Sequence, residues 1–128
     1  MGFLSGKKKI LIIEDEPDIA ESLQARLSLE GFDIILAADG KEGVEKTRSE
    51  KPNLVIMDVM LPLVNGYEAC KLIRQDKHTK DIPVLFLTAL PRVDDAEAAF
   101  QAGGNDFLNK PFTDERLMLK IRKFFPKP

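Results

Sequence analysis

The sequence has few of the residues that build disulfides, metal clusters or membrane spans. Cys70 is the single cysteine, so an internal disulfide is impossible, and we expect a buried, reduced thiol in a cytoplasmic protein. His78 is the single histidine, which excludes a transition-metal cluster built on several imidazoles and a phosphohistidine relay within the chain. We expect His78 in a solvated loop. The apolar runs are far shorter than a membrane span needs, so we predict no membrane partner.

An excess of charge of one sign is also missing. The chain has 19 Lys and Arg residues against 21 Asp and Glu residues, a formal net charge of −2. Bulk charge therefore gives no reason to expect direct nucleic-acid binding. The 128 residues suffice for one domain with a core. We predict a flexible leader over 1–7, one domain over 8–125 and a tail over 126–128.

Four short segments are apolar throughout, where a half-exposed strand would alternate. Unbroken apolar strands are typical of a parallel sheet covered by helices on both faces. Polar-rich stretches of helical length lie between them, with start signals at Pro17, Asp39, Asn65 and Thr113. The order strand then helix, five times over, predicts a doubly wound α/β fold. The predicted strands are 10–13, 34–37, 54–57 and 84–87, with a weaker fifth at 106–109.

Five chemically active side chains follow the ends of these strands. Strand one ends on Glu14 and Asp15, strand three on Asp58, strand four on Thr88 and strand five on Lys110. Each residue alone is ordinary, since an acid after a strand is more often a helix cap or a solvated charge. Parallel strands, however, share one carboxyl edge, where open α/β sheets bind their ligands. The five residues together therefore indicate a functional site.

The three acids among them indicate a metal. Carboxylates in one cleft repel one another, and at least one tends to stay protonated. Mg²⁺ removes that conflict, because it favours one or two carboxylates, waters and phosphate oxygens. We therefore predict Mg²⁺ with a phosphoryl group, Asp15 and Asp58 as direct ligands, and the longer Glu14 acting through a water. One oxygen of Asp58 is then free to attack phosphorus, with Lys110 and Thr88 on the phosphoryl oxygens.

Four motifs at these strand ends resemble the receiver domain of bacterial two-component response regulators. The similarity spans roughly residues 8 to 125. It implies the flavodoxin-like receiver fold, a five-stranded (βα)5 sheet of order 2-1-3-4-5. It also implies that Asp58 accepts a phosphoryl group from a sensor histidine kinase or a histidine phosphotransfer protein. The motifs are "IIEDEP" at 12–17, "VIMDVMLPLVNG" at 55–66, "LTA" at 87–89 and "KPF" at 110–112.

The resemblance also implies the metal site and the chemistry around it. Glu14 and Asp15 hold Mg²⁺ with Asp58, and the backbone carbonyl of Met60 is a further ligand. Thr88 and Lys110 contact the phosphoryl group, and the peptide bond before Pro111 is cis.

A conformational switch is implied as well. Thr88 moves towards the phosphoryl group, the loop with Ala89 and Leu90 follows, and Phe107 turns inward. The surface of helix four, strand five and helix five then changes for a downstream protein or for an output domain missing from this chain. Met60 and Leu90 flank the path of the hydrolytic water and should lengthen the phosphorylated lifetime.

The sequence departs from the family pattern at four positions. Glu14 stands where Asp is most frequent, and Phe107 lacks the hydroxyl of the frequent Tyr. Arg116 and Lys120 stand where the DNA-binding subfamily that dimerises through this surface usually has Glu and Arg. These two residues weaken the expectation of that mode of dimerisation.

Three other functions remain open at this point. A small Mg²⁺-dependent aspartyl phosphatase needs a second acid two residues after the nucleophile, where this chain has Met60. A flavodoxin-like carrier or nucleotide binder needs a Gly-rich or Ser/Thr-rich phosphate loop after strand one, where this chain has acids. A degenerate receiver used only for protein interaction would lack site residues, and all five are present. We therefore predict a signalling phosphoacceptor and not an enzyme.

Overall fold

The structure is a computed structural model that describes residues 7–89 and 93–126, without the side chains of 93–95. Strands and helices alternate along the chain, as the apolar segments and capping signals predict. The strands are β1 (Lys9–Ile13), β2 (Asp33–Ala37), β3 (Leu54–Asp58), β4 (Val84–Thr88) and β5 (Asp106–Asn109), and the helices are α1 (Pro17–Leu29), α2 (Gly40–Glu50), α3 (Gly66–Gln75), α4 (Val93–Gln101) and α5 (Asp114–Arg122).

All five strands are parallel and lie in the order β2-β1-β3-β4-β5. This confirms the predicted doubly wound sheet and its strand order. Strands β1, β3 and β4 are buried almost throughout, which explains their unbroken apolar sequence. Residues 34–36 of β2 are only half-buried, because β2 is the edge strand of the sheet.

The hydrophobic core forms two clusters, one on each face of the sheet. Alternate residues of a strand contribute to opposite clusters, so Leu11 and Ile13 belong to one and Ile10 and Ile12 to the other. Helix α3 packs on the first face, and α1 and α5 pack on the second. The strands are held from both faces, and their carboxyl ends are therefore rigidly placed.

Side-chain caps begin three of the helices close after the strands. The Asp39 carboxylate accepts from the N–H of Glu42 at 2.7 Å. The Asn65 side chain accepts from the N–H of Glu68 at 3.0 Å, and the Thr113 hydroxyl accepts from Arg116 at 3.1 Å. These predicted caps fix how the chain turns at the carboxyl edge of the sheet.

Two details lie at the limits of the described residues. We predict that α4 begins near Arg92, a residue outside the described ranges, and the helix is seen from Val93. Phe124 and Phe125 lie beyond α5 and are half-buried, with Phe125 packed on Phe32 at 5.3 Å between ring centroids. Among the helices of the described ranges, none has the length and hydropathy that a bilayer crossing requires.

Candidate phosphoryl and metal site

The three acids predicted at the carboxyl edge meet there. One carboxylate oxygen each from Glu14, Asp15 and Asp58 lies within 4.8 Å of the other two. Two oxygens on opposite sides of one Mg²⁺ lie about 4.2 Å apart, twice the metal–oxygen distance. The three side chains therefore need to move only slightly to share one ion. Hard carboxylate oxygens are also the donors that this ion prefers.

The acids differ in their exposure to water. Glu14 is 2% exposed and Asp58 is 6% exposed, whereas Asp15 is an exposed residue. Glu14 is deep because its backbone N–H extends the β1–β2 ladder and donates to the Ala37 carbonyl at 3.0 Å. The buried carboxylates of Glu14 and Asp58 are thus held in place. The exposed carboxylate of Asp15 is accessible to an ion from the solvent.

Lys110 joins the buried acids. Its ammonium nitrogen lies 2.7 Å from Asp58 Oδ2 and 3.3 Å from Glu14 Oε1. The backbone N–H of Lys110 donates to the Thr88 carbonyl at 2.7 Å, and the peptide bond between Lys110 and Pro111 is cis, the isomer that the resemblance implies. Burial lowers the pKa of Lys110, but hydrogen bonding and attraction to Asp58 and Glu14 outweigh it and raise that pKa. The ammonium therefore stays charged at neutral pH.

Burial and a neighbouring negative charge act together on Glu14. Burial and then the Asp58 charge raise the pKa of Glu14 to about 7, although Lys110 acts in the opposite direction. The single ammonium therefore does not balance the two buried acids. A further positive charge in this cluster would restore the ionised form of Glu14.

Asp58 has a distinct partner at each oxygen. Its Oδ2 accepts from Lys110, and its Oδ1 accepts from the backbone N–H of Met60 at 3.0 Å. The loop after β3 closes through a bond from the N–H of Gly66 to the Val59 carbonyl at 2.9 Å. A Cβ on Gly66 would lie 2.5 Å from the Asp58 carbonyl oxygen, so this close return needs glycine. Neither the Met60 N–H nor the role of Gly66 was expected, although an Asn-Gly pair after the loop is a signal for a tight return.

Two of the predicted switch residues, Thr88 and Phe107, lie on the same face of the sheet. Thr88 is buried and pairs in register with Asn109, and Phe86 pairs with Phe107, so all four side chains share the face that α3 covers. Phe107 is half-buried and Ala89 is exposed. The predicted contribution of Leu90 lies outside the described residues.

Asn109 is a neighbour of Thr88 that sequence reasoning missed. Its Oδ1 atom is buried and has no hydrogen-bond partner within the described part of the chain. A polar residue at the end of a short strand, directly before Lys110, was the available signal.

Several residues considered from the sequence lie outside the site. His78 is exposed, as predicted, and Cys70 is buried and free, with its pKa raised by burial. Lys120 forms an ion pair with Asp106 in the same chain, at 2.9 Å and 3.0 Å to the two oxygens. Arg116 is exposed at the start of α5.

Comparison with known proteins gives a consistent family. The sequence model described as "Response regulator receiver domain" matches residues 10–122. The probable transcriptional regulator ycf27 of Porphyridium aerugineum is 41% identical over 116 residues, which are 91% of this chain and 47% of that protein. The chain thus spans about half the length of the curated relatives it matches.

Solved structures show the same family. A putative response regulator from Chloroflexus aurantiacus superimposes with a TM-score of 0.88 at 35% identity, over 94% of this chain and 99% of that one. The receiver domain of the sensor histidine kinase PA1611 from Pseudomonas aeruginosa, described with a magnesium ion in its active-site cleft, has a TM-score of 0.87 at 31% identity, over 95% and 100%. By fold, sequence and the acids at its carboxyl edge, this chain belongs to the response regulator receiver domains.

Proposed function

We propose that this receiver domain accepts a phosphoryl group on Asp58 with Mg²⁺ and signals through the state that results. The observation that carries the proposal is the meeting of three carboxylates and one ammonium around Asp58. Glu14, Asp15, Asp58 and the backbone carbonyl of Met60 would hold the ion. When bound, Mg²⁺ supplies positive charge that neutralises the carboxylates and the phosphoryl oxygens.

Three side chains of the site then have separate roles in the phosphoryl transfer. A carboxylate oxygen of Asp58 attacks phosphorus, a P–O bond forms, and the P–N bond to a donor histidine breaks as the imidazole leaves. The Lys110 ammonium lies 2.7 Å from the Asp58 carboxylate and stays charged, so it can form an ion pair with the phosphoryl oxygens once they are attached. Thr88, buried at the end of β4, offers its hydroxyl to another of those oxygens.

The donor that fits this chemistry is a sensor histidine kinase or a histidine phosphotransfer protein. The phosphorylated state would be recognised by a downstream protein or by an output domain beyond this chain. Curated relatives of about twice its length are described as transcriptional regulators, which supports this proposal. Phosphorylation would shift the conformations of Thr88, Ala89 and Phe107, and this would change the surface formed by α4, β5 and α5. The domain itself would not bind nucleic acid, and it would act in the cytoplasm.

The domain would not turn over a substrate as an enzyme does, beyond promoting its own phosphorylation and dephosphorylation. An aspartyl phosphatase needs an acid at position 60, and the Met60 side chain cannot move protons.

The experiment that tests the proposal is labelling by acetyl phosphate, followed by intact-mass spectrometry. With millimolar Mg²⁺ we expect the mass of one added phosphoryl group, and with EDTA we expect none. Beryllofluoride should bind the site under the same Mg²⁺ requirement. No labelling at any Mg²⁺ concentration would contradict the proposal and favour a domain used only for protein interaction.

Replacing Thr88 by alanine should separate acceptance from signalling. We expect Thr88→Ala to take up the phosphoryl group within about threefold of the wild-type rate, because Asp58 and its metal ligands are intact. The spectral change at Phe107 on beryllofluoride binding, measured by NMR, should be lost or strongly reduced. A full Phe107 response in this variant would remove Thr88 from the switch.

Replacing Met60 by asparagine should shorten the phosphorylated lifetime. The Met60 side chain is bulky and apolar, and it stands two residues after Asp58, whose Oδ1 accepts the Met60 N–H. An amide admits and orients the hydrolytic water where a thioether cannot, so we expect hydrolysis severalfold faster by decay of the labelled mass. Leu90→Ala should act in the same direction. An unchanged lifetime in both variants would contradict the prediction.

A further inference from the structure

The loop between Asp58 and α3 carries two exposed apolar side chains. Met60 is 68% exposed and Leu63 is 79% exposed. Single exposed leucines are ordinary on protein surfaces and need no explanation by themselves. The backbone of Leu63, in contrast, is unusual.

Leu63 lies at the centre of a γ-turn of the strained hand. Its φ is +69°, and the N–H of Val64 donates to the Pro62 carbonyl at 2.8 Å. Glycine or asparagine adopts positive φ at lower cost than leucine. The other non-glycine residue with positive φ in the described ranges, Lys51, caps the end of α2, a usual place for that conformation. Leu63 caps no helix end.

Among the residues that the structure describes, none offsets the positive φ of Leu63 or the exposure of its side chain. A leucine that fills a core can offset backbone strain by burying apolar surface, but this side chain is left mostly in water. The turn itself is well defined, because the bond from Gly66 to Val59 closes the loop at 2.9 Å. The strained turn therefore presents an apolar side chain on a fixed support.

The loop also lies on the route to the nucleophile. It begins one residue after Asp58, and its Met60 N–H is bonded to Asp58 Oδ1. Asp58 is only 6% exposed, so a protein that delivers phosphorus to it must press against the loops around the carboxyl edge. A small-molecule donor of the phosphoryl group needs no such contact.

We propose that Leu63, together with Met60 of the same loop, is an apolar contact for the protein that donates the phosphoryl group. A partner that fits this contact carries an apolar side chain next to its phosphohistidine. Burial of the Leu63 side chain on docking would then offset the backbone strain of Leu63 in the free domain. This inference rests on the proposed function, because it assumes that Asp58 is the acceptor.

The test compares a protein donor with a small donor that has the same P–N bond. The protein donors are a panel of autophosphorylated histidine phosphotransfer domains, of which the one that labels the wild-type chain fastest is used. The small donor is phosphoramidate. For Leu63→Asn we expect transfer from the protein donor to fall at least tenfold and labelling by phosphoramidate to stay within twofold. Relief of the turn should also raise the Tm by about 3 °C.

Leu29→Asn is the matched control. It makes the same substitution at a residue that is 84% exposed at the end of α1, the edge of the sheet away from Asp58. Both donors should label it at the wild-type rate.

The remaining outcomes each decide the matter. Unchanged transfer from the protein donor to Leu63→Asn would overturn the docking contact, and so would an equal loss with both donors, which would make Leu63 a support of the site. A wild-type dimer that Leu63→Asn dissociates in sedimentation would assign the contact to a second copy of the chain instead. Failure of both phosphoramidate and acetyl phosphate to label the wild-type chain in Mg²⁺ would refute the proposed function itself, which is a distinguishable result.

Discussion

The Asp58→Asn variant should take up no phosphoryl group from acetyl phosphate in the presence of Mg²⁺. The amide oxygen is a poor nucleophile, and the amide nitrogen cannot form a stable acyl phosphate. The substitution also removes one of the three charges that would hold the ion, although it nearly preserves the shape of the side chain. We expect labelling by intact mass to fall below about one hundredth of the wild-type level, the largest functional effect of any single change in this chain.

Asp33→Asn is the control for this substitution. Asp33 is exposed at the start of β2, at the far edge of the sheet, and its replacement should leave labelling unchanged. Peptide mapping of the labelled wild-type chain should place the phosphoryl group on Asp58. Stable labelling of Asp58→Asn at the full wild-type level would exclude Asp58 as the acceptor.

The fold and the identity of the site residues were predictable because both depend on pattern. Unbroken apolar runs such as 10–13 and 54–57 are typical of strands buried on both faces, as in a parallel sheet with helices above and below it. Once the strands are parallel, the residues after them must meet at one edge. The convergence of Glu14, Asp58 and Lys110 is therefore a consequence of strand direction, and needs no knowledge of any distance.

The rest depends on local geometry that no pattern encodes. That Met60 donates to Asp58, and that Leu63 adopts a positive φ, follow from how one loop closes on Gly66. The sequence indicated that some carboxylate in the cleft would hold its proton. It could not indicate that Glu14 would do so, because the depth of this carboxylate and the neighbouring Asp58 charge are what raise its pKa.

That depth gives the second prediction, which concerns stability. The pKa of Glu14 lies near 7 in the folded chain, against an ordinary value of 4.5, because of burial and the charge of Asp58. The folded state thus binds the Glu14 proton more tightly than the unfolded state does. The stabilising contribution is complete below about pH 4.5 and is lost as the pH rises to about 7 and beyond, a loss of the order of 3 kcal/mol.

Replacing Glu14 by glutamine should remove this loss, because glutamine has a similar shape and no charge to desolvate. Without Mg²⁺, urea unfolding should show equal stability for both proteins at pH 4 and a more stable Glu14→Gln variant at pH 8, by up to about 3 kcal/mol. Glu45→Gln, at an exposed position of α2, should change stability by less than about 0.5 kcal/mol at either pH. Equal stability of Glu14→Gln and wild type at pH 8 would show that ionisation of Glu14 does not destabilise the folded state.

Mg²⁺ should narrow this difference in stability, which connects the destabilisation of the free site to its use in binding the ion. An ion that binds only the folded chain stabilises it in proportion to the logarithm of its concentration over its dissociation constant. The wild-type cluster, with Glu14 ionised, should bind Mg²⁺ at least tenfold more tightly than Glu14→Gln at pH 8, and should therefore gain more stability in millimolar Mg²⁺. An equal gain in both proteins, by the same unfolding measurement, would mean that Glu14 takes no part in holding the ion. In that case its burial beside Asp58 and Lys110 would serve only to position the lysine.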